Sequence, residues 1–162
     1  MAILADEKTR ILVQGITGRE AATFVRDSLE YGAKVVAGVT PGKGGAGVHG
    51  VPVYDTVAAA IAKHPAEATV ISVPPAAVRD AALEALAGGL SLLVIVTERV
   101  PRRDVAEILC AAEAVGATVV GPNSLGILSP GRPRWGWWGV RPPMCGRPTR
   151  RGRWGSCPGA GV

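Results

Sequence analysis

Ile11-Leu12-Val13-Gln14-Gly15-Ile16-Thr17-Gly18-Arg19-Glu20 is the stretch that decides the fold. An apolar, β-rich run breaks into a turn with two glycines, and behind it Phe24, Val25 and Leu29 recur at helical spacing. That order reads as strand, tight turn and helix. Such a junction leaves the first N–H groups of the helix unpaired and aimed at one point, where an anion is favoured. Gly15 and Gly18 admit a ligand close to the backbone where a Cβ would block it, and Thr17 adds a hydroxyl donor. The stretch reads as a phosphate site. A turn that binds nothing is the bland alternative.

Outward from this turn the same unit repeats. Further strands are expected at Lys34 to Val39, Thr69 to Val73, Ser91 to Val96 and Ala117 to Val120, after a first at Arg10 to Gln14. Helices are expected from Gly18 to Glu30, from the cap Asp55-Thr56 to His64, from Ala77 to Ala87 and from Arg102 to Val115. Val51-Pro52-Val53-Tyr54 reads as a brief extended piece. Strands and helices alternating through short connections predict an α/β fold: a Rossmann-like, doubly wound parallel sheet of about five strands. Ligands in such sheets bind at the carboxyl ends of the strands. Each strand here ends in an unusual loop (G-I-T-G, T-P-G-K-G-G, V-P-P, V-T-E and G-P-N-S), and five such loops on one edge make one site.

The loops limit what the site holds. The spacing Gly15-x-x-Gly18 is not the Gly-x-Gly-x-x-Gly dinucleotide fingerprint, and Gly38-Val39-Thr40-Pro41 ends the second strand where a ribose-binding acid would stand. Lys43 occupies that region instead, among glycines, as a point charge for a phosphate. Glu98 ends the fourth strand, as a hydrogen-bond acceptor or a structural cap. Asn123 and Ser124 follow the fifth, deep in the crevice. His49 and His64 read as surface residues, and Cys110, between Leu109 and Ala111, reads as core. No nucleophile–base set and no metal-ligand spacing can be assembled.

The chain has 162 residues and a net charge of +5, but residues 131–162 hold seven arginines and no acid, which leaves 1–130 at −2. Trp135, Trp137, Trp138 and Trp154 all lie in the same segment, with Cys145 and Cys157. This break places a boundary near Ser129-Pro130-Gly131: a folded domain over 1–130, then an irregular Gly/Arg/Pro/Trp tail over 131–162 that buries no core. The tail suits either a nucleic-acid arm or, preferably, a GC-rich gene read out of frame, so nucleic acid is disfavoured as a partner. The odd number of cysteines and the lack of a membrane-length apolar run fit a reduced, cytoplasmic setting without a membrane.

Taken together, Q-G-I-T-G at 14–18, Y-G-A-K-V-V-A-G-V-T-P-G-K-G-G at 31–45, G-V-P-V-Y-D-T-V at 50–57, V-T-E at 96–98 and G-P-N-S at 121–124 resemble one family. It is the α subunit of succinyl-CoA synthetase (succinate–CoA ligase), in its N-terminal CoA-binding domain. The resemblance covers about residues 3–130. It implies coenzyme A across the strand ends, its nucleotide part held by Thr17-Gly18-Arg19-Glu20, Lys43 and Val96-Thr97-Glu98. The pantetheine arm would run past Val73-Pro74 towards Asn123-Ser124. It also implies a β subunit as partner and a relay histidine in a second domain, whose context neither His49 nor His64 matches; the chain as given is expected to bind CoA and complete no reaction. Shifted by one base, codons for 154–161 permit Val-Gly-Val-Leu-Ser-Arg-Ser-Gly, which resembles the run opening that second domain. A stand-alone CoA-binding regulatory module is the alternative, with an NAD(P)-dependent enzyme behind it.

Overall fold

The computed structural model describes residues 4–6 and 8–127, with the backbone of Trp135 and Gly136. Strands β1 (Arg10–Gln14), β2 (Lys34–Val39), β3 (Gly47–Val48), β4 (Val51–Tyr54), β5 (Ala68–Ile71), β6 (Leu92–Ile95) and β7 (Thr118–Val120) form one sheet in the order β3-β4-β2-β1-β5-β6-β7. Every pairing in it is parallel except β3 with β4. Helices α1 (Arg19–Glu30), α2 (Val57–Lys63), α3 (Val78–Ala87) and α4 (Arg102–Val115) alternate with the strands. The chain winds outward from β1 to β4, then returns to β5 and winds the other way, so the strand order reverses between β1 and β5.

The doubly wound sheet is the one expected, with two more strands than the apolar runs announce. Val51–Tyr54 is a full member, paired with β2 through Gly38↔Val53 and Val39↔Tyr54. Val51 and Val53 turn inward and are buried, which supplies the reason. Pro52 has no N–H to donate, and its outer neighbour β3 is only two residues long, so the sheet loses little there.

Strand residues alternate between two apolar layers. Ile11, Val13, Val35, Val70 and Val94 pack with Phe24 and Val25 of α1 on one face. Leu12, Ala37, Ile71, Leu93 and Ile95 pack with Val57, Val78, Ala82, Ile108 and Ala112 of α2, α3 and α4 on the other. β5 and β6 are buried along their whole length, as parallel strands covered on both sides must be. Each fully buried Leu or Ile contributes about 1.5–3 kcal/mol.

Local chemistry sets the helix ends. Thr56 caps α2, its Oγ1 accepting from the N–H of Ala59 at 3.2 Å, while Glu84 Oε1 accepts from Val57 N–H at 2.7 Å. Pro101 opens α4 and Gly116, at φ 70°, closes it in the left-handed conformation. Cys110 is a correction: it is exposed. The helix sends Ile108 and Ala112, four apart, into the core, and this rotates Leu109 and Cys110 outward; Leu109 is 48% exposed despite its apolar side chain.

Two surface ion groups tie elements together. The Arg10 guanidinium holds the Glu67 carboxyl below its ordinary range, and Arg79, then Arg103, do the same for Glu107 between α3 and α4. A carboxylate lowered in the folded state stabilises it above the usual carboxylate range and loses that effect as pH falls through the lowered value. Exposure keeps both contributions small.

Within 131–162 the described residues are Trp135–Gly136, a two-residue strand β9 antiparallel to β8 (Gly126–Ile127). The remainder of the segment expected to be an irregular, out-of-frame tail lies outside the described residues. Among the described residues no helix is long and apolar enough to cross a membrane.

Candidate functional site

The site grows from the turn after β1. Gly15 sits at φ 79° and donates its N–H to Val39 O at 2.7 Å. A methyl group on it would stand 2.1 Å from Ser72 O, so the turn after β1 and the loop after β5 meet backbone to backbone, with no room for a side chain. Gly18 is then the N-cap of α1, extended and without any side-chain oxygen to offer. Ala22 N–H is the first to close on a helix carbonyl, that of Gly18 at 2.8 Å. The N–H groups of Arg19, Glu20 and Ala21 therefore have no protein acceptor among the described residues. An uncapped helix N-terminus of this kind favours an anion.

These residues form one wall of a cleft of about 620 Å³. Ser72, Val73 and Pro75 after β5 form the next wall, Val96, Thr97, Glu98 and Arg99 after β6 follow, and Asn123 after β7 closes it. The loops brace one another: Thr97 Oγ1 donates to Val73 O at 2.7 Å, Asn123 N–H to Thr97 O at 3.0 Å, and Ser124 N–H to Ile95 O at 3.2 Å. The cleft thus lies at the reversal of strand order, where open α/β sheets bind their ligands.

Its charges are exposed and loosely held. Arg19 makes no ion pair among the described residues, and Arg99 Nε stands 3.8 Å from Glu98 Oε1. Arg99 also sits at φ 59°, in the left-handed region that costs a residue with a Cβ about 1–2 kcal/mol. Arg99→Gly is expected to raise the melting temperature by about 2–4 °C, the equivalent of roughly 1 kcal/mol. A lower melting temperature would show that the Arg99 side chain stabilises more than its backbone costs.

Of the residues singled out from the sequence, Gly18, Arg19, Glu20, Val73, Val96, Thr97, Glu98 and Asn123 line this cleft; Thr17, Lys43, Pro74 and Ser124 do not. Thr17 faces the neighbouring loop, its Oγ1 3.4 Å from Thr40 Oγ1. Lys43 lies in that loop, after β2, on the other side of the β1 turn. Pro74 is the exposed cap of a short 3-10 turn, and Ser124 Oγ is occupied by the N–H of Gly126 at 3.1 Å. Arg99 was missed, although a cation directly behind Val-Thr-Glu is a signal the sequence carries. Neither histidine lines the cleft. His49 is exposed at φ 51°, and His64 Nε2 is 3.0 Å from Tyr54 Oη. Among the described residues no cluster could hold a metal ion.

Comparison with known proteins identifies the family. Residues 6–99 match the family model described as the CoA binding domain. The chain is 47% identical over 132 residues to a succinate–CoA ligase [ADP-forming] subunit alpha 2 of Archaeoglobus fulgidus, covering 82% of this chain and 46% of that protein. It is 42% identical over 136 residues to the malate–CoA ligase subunit alpha of Methylorubrum extorquens, covering 82% and 46%. The chain spans about half the length of these relatives. In three dimensions it resembles ATP citrate lyase from Methanothrix soehngenii, solved with citrate and coenzyme A, at a TM-score of 0.69 and 22% identity over 83% of this chain and 24% of that one; this likeness shows the fold. The chain belongs to the CoA-binding domain family, in the form found in the α subunits of succinate–CoA ligases and their relatives.

Proposed function

We propose that this polypeptide holds coenzyme A across the β1–β5 reversal as the coenzyme-binding part of an acid–CoA ligase that works with a β subunit. The observation that carries the reading is the uncapped N-terminus of α1 opening into the cleft between Arg19 and Arg99. Three unpaired N–H groups, the positive end of the helix and two loosely held guanidinium groups suit the phosphates of the coenzyme. Thr17-Gly18-Arg19-Glu20 and Lys43 would take the phosphates. Val96-Thr97-Glu98 would take the nucleoside, with Glu98 as acceptor, and Val73 with Asn123 would line the path of the pantetheine arm, which leads towards the neighbouring Pro74 and Ser124. Residues 1–130 would form this unit on their own. Calorimetry with CoA, NAD and ATP in parallel tests it: CoA alone should bind. NAD binding at concentrations where CoA gives no heat would refute the reading.

The acid is a separate question. Relatives named for succinate and for malate both match this half, at 47% and 42% identity, which supports a shared coenzyme with the acid chosen by other parts of the ligase. The resemblance places the phosphate relay on a histidine, and both histidines of this polypeptide lie away from the cleft. The 162-residue polypeptide mixed with a β subunit is therefore expected to form no acyl-CoA. Succinate-dependent nucleotide hydrolysis by that mixture would overturn this.

A further inference from the structure

The loop that carries Lys43 has an anchor outside the cleft. Gly44 N–H donates to Asp55 Oδ1 at 2.8 Å, eleven residues further on and beyond β4. A methyl group on Gly44 would stand 2.3 Å from Asp55 Oδ2 and 2.8 Å from its Cγ, so the carboxylate is seated against a bare Cα. The rest of the loop is held by backbone bonds: Lys43 N–H reaches Thr40 O at 3.1 Å, Ala46 N–H reaches Lys43 O at 3.1 Å, and Gly45 N–H reaches Val53 O of β4 at 3.0 Å. Asp55 thus supplies the side-chain contact to the residue next to Lys43. It is exposed, makes no ion pair among the described residues, and leaves the capping of α2 to its neighbour Thr56.

We infer that Asp55 is a positioning residue for the anion-binding lysine. A loop with glycines at 42, 44 and 45 has more conformational freedom to lose than one with side chains at those positions, and a ligand that had to order it would bind less tightly. The hydrogen bond to Gly44 fixes the backbone on which Lys43 stands before any ligand arrives. The inference rests on the reading that Lys43 meets a phosphate of CoA. The contact needs an accepting oxygen; the negative charge strengthens the bond to Gly44 but, beside an anion site, also opposes binding of the ligand. Asparagine, which keeps the oxygen and drops the charge, should serve as well or better.

The test is a mutant cycle read by calorimetry with CoA, with thermal melts as a control for folding. Asp55→Ala is expected to weaken CoA binding about tenfold, and Asp55→Asn to bind at least as tightly as the parent. The double variant Lys43→Ala with Asp55→Ala should bind no more weakly than Lys43→Ala alone, since the acid acts only through the lysine. Gly44→Ala gives an independent check. The backbone of Gly44 is not in the left-handed region, so alanine conflicts there with Asp55 alone and should reproduce the tenfold loss. Amide exchange at Gly44 should quicken in Asp55→Ala and stay slow in Asp55→Asn. Parent-like CoA affinity in Asp55→Ala while Lys43→Ala is weakened would overturn the role of Asp55 alone. Parent-like affinity in Lys43→Ala would overturn the reading of the lysine, and this inference with it. A full tenfold loss added on top of Lys43→Ala would show that Asp55 acts through the fold.

Discussion

Gly15→Ala is expected to destabilise the protein by about 3 kcal/mol, through forced overpacking and a left-handed backbone that alanine resists. The melting temperature should fall by roughly 10 °C. Two separate faults combine. The φ of 79° costs alanine alone, and the added methyl would lie 2.1 Å from Ser72 O, a backbone atom that cannot swing aside as a flexible side chain would. Relief requires β1 and β5 to part at their carboxyl ends, which also breaks the bond from Ser72 N–H to Gln14 O at 3.0 Å. CoA binding should weaken in the same variant, because the strands that part carry two walls of the cleft. A melt within about 2 °C of the parent would mean that the contact relaxes cheaply.

Lys43→Ala is expected to lower CoA affinity roughly ten- to a hundredfold, the loss of one charge-assisted phosphate contact worth about 1.5–3 kcal/mol. Stability should not change, since Lys43 is exposed and its loop is held by backbone bonds and Asp55. The lysine approaches from the loop after β2, across the β1 turn from the cleft, and Thr17 and Thr40 join the two loops at 3.4 Å. A ligand bound at the uncapped helix end must therefore extend past that turn to meet it. An unchanged dissociation constant would show the ammonium to be merely solvated.

The elements most legible in the sequence were those whose ends are chemically marked. Helix α4 is legible to its last residue because Pro101 and Gly116 bracket it, and β6 to within one residue at each end because Leu92 to Ile95 is apolar on both faces. The turn at Gly15 was legible because glycine there serves a backbone that no other residue suits. What was not legible depended on which way an element faces. Val51–Tyr54 alternates buried with half-buried residues, but four residues with a proline look like a connection until a sheet edge lies beside them. Cys110 failed for the same reason. Its neighbours are apolar, and only the helix phase set by Ile108 and Ala112 reveals that it points outward. In Asp55-Thr56 the cap was visible, but only one residue of the pair is the cap. The other reaches back eleven positions to Gly44, a partner that no local pattern discloses.

The first turn of α1 is in effect an unfinished piece of folding. A serine or aspartate at position 18 would close it and add about 1 kcal/mol, but on the proposed reading it would fill the place of a phosphate. The polypeptide without its coenzyme is thus held short of the stability open to its own architecture, and the coenzyme supplies the remainder from solution. At a concentration a hundredfold above the dissociation constant, that supplement amounts to about 2.7 kcal/mol. Resistance to heat and to proteases then rises and falls with the surrounding pool of free coenzyme, so that the durability of the protein becomes a gauge of supply.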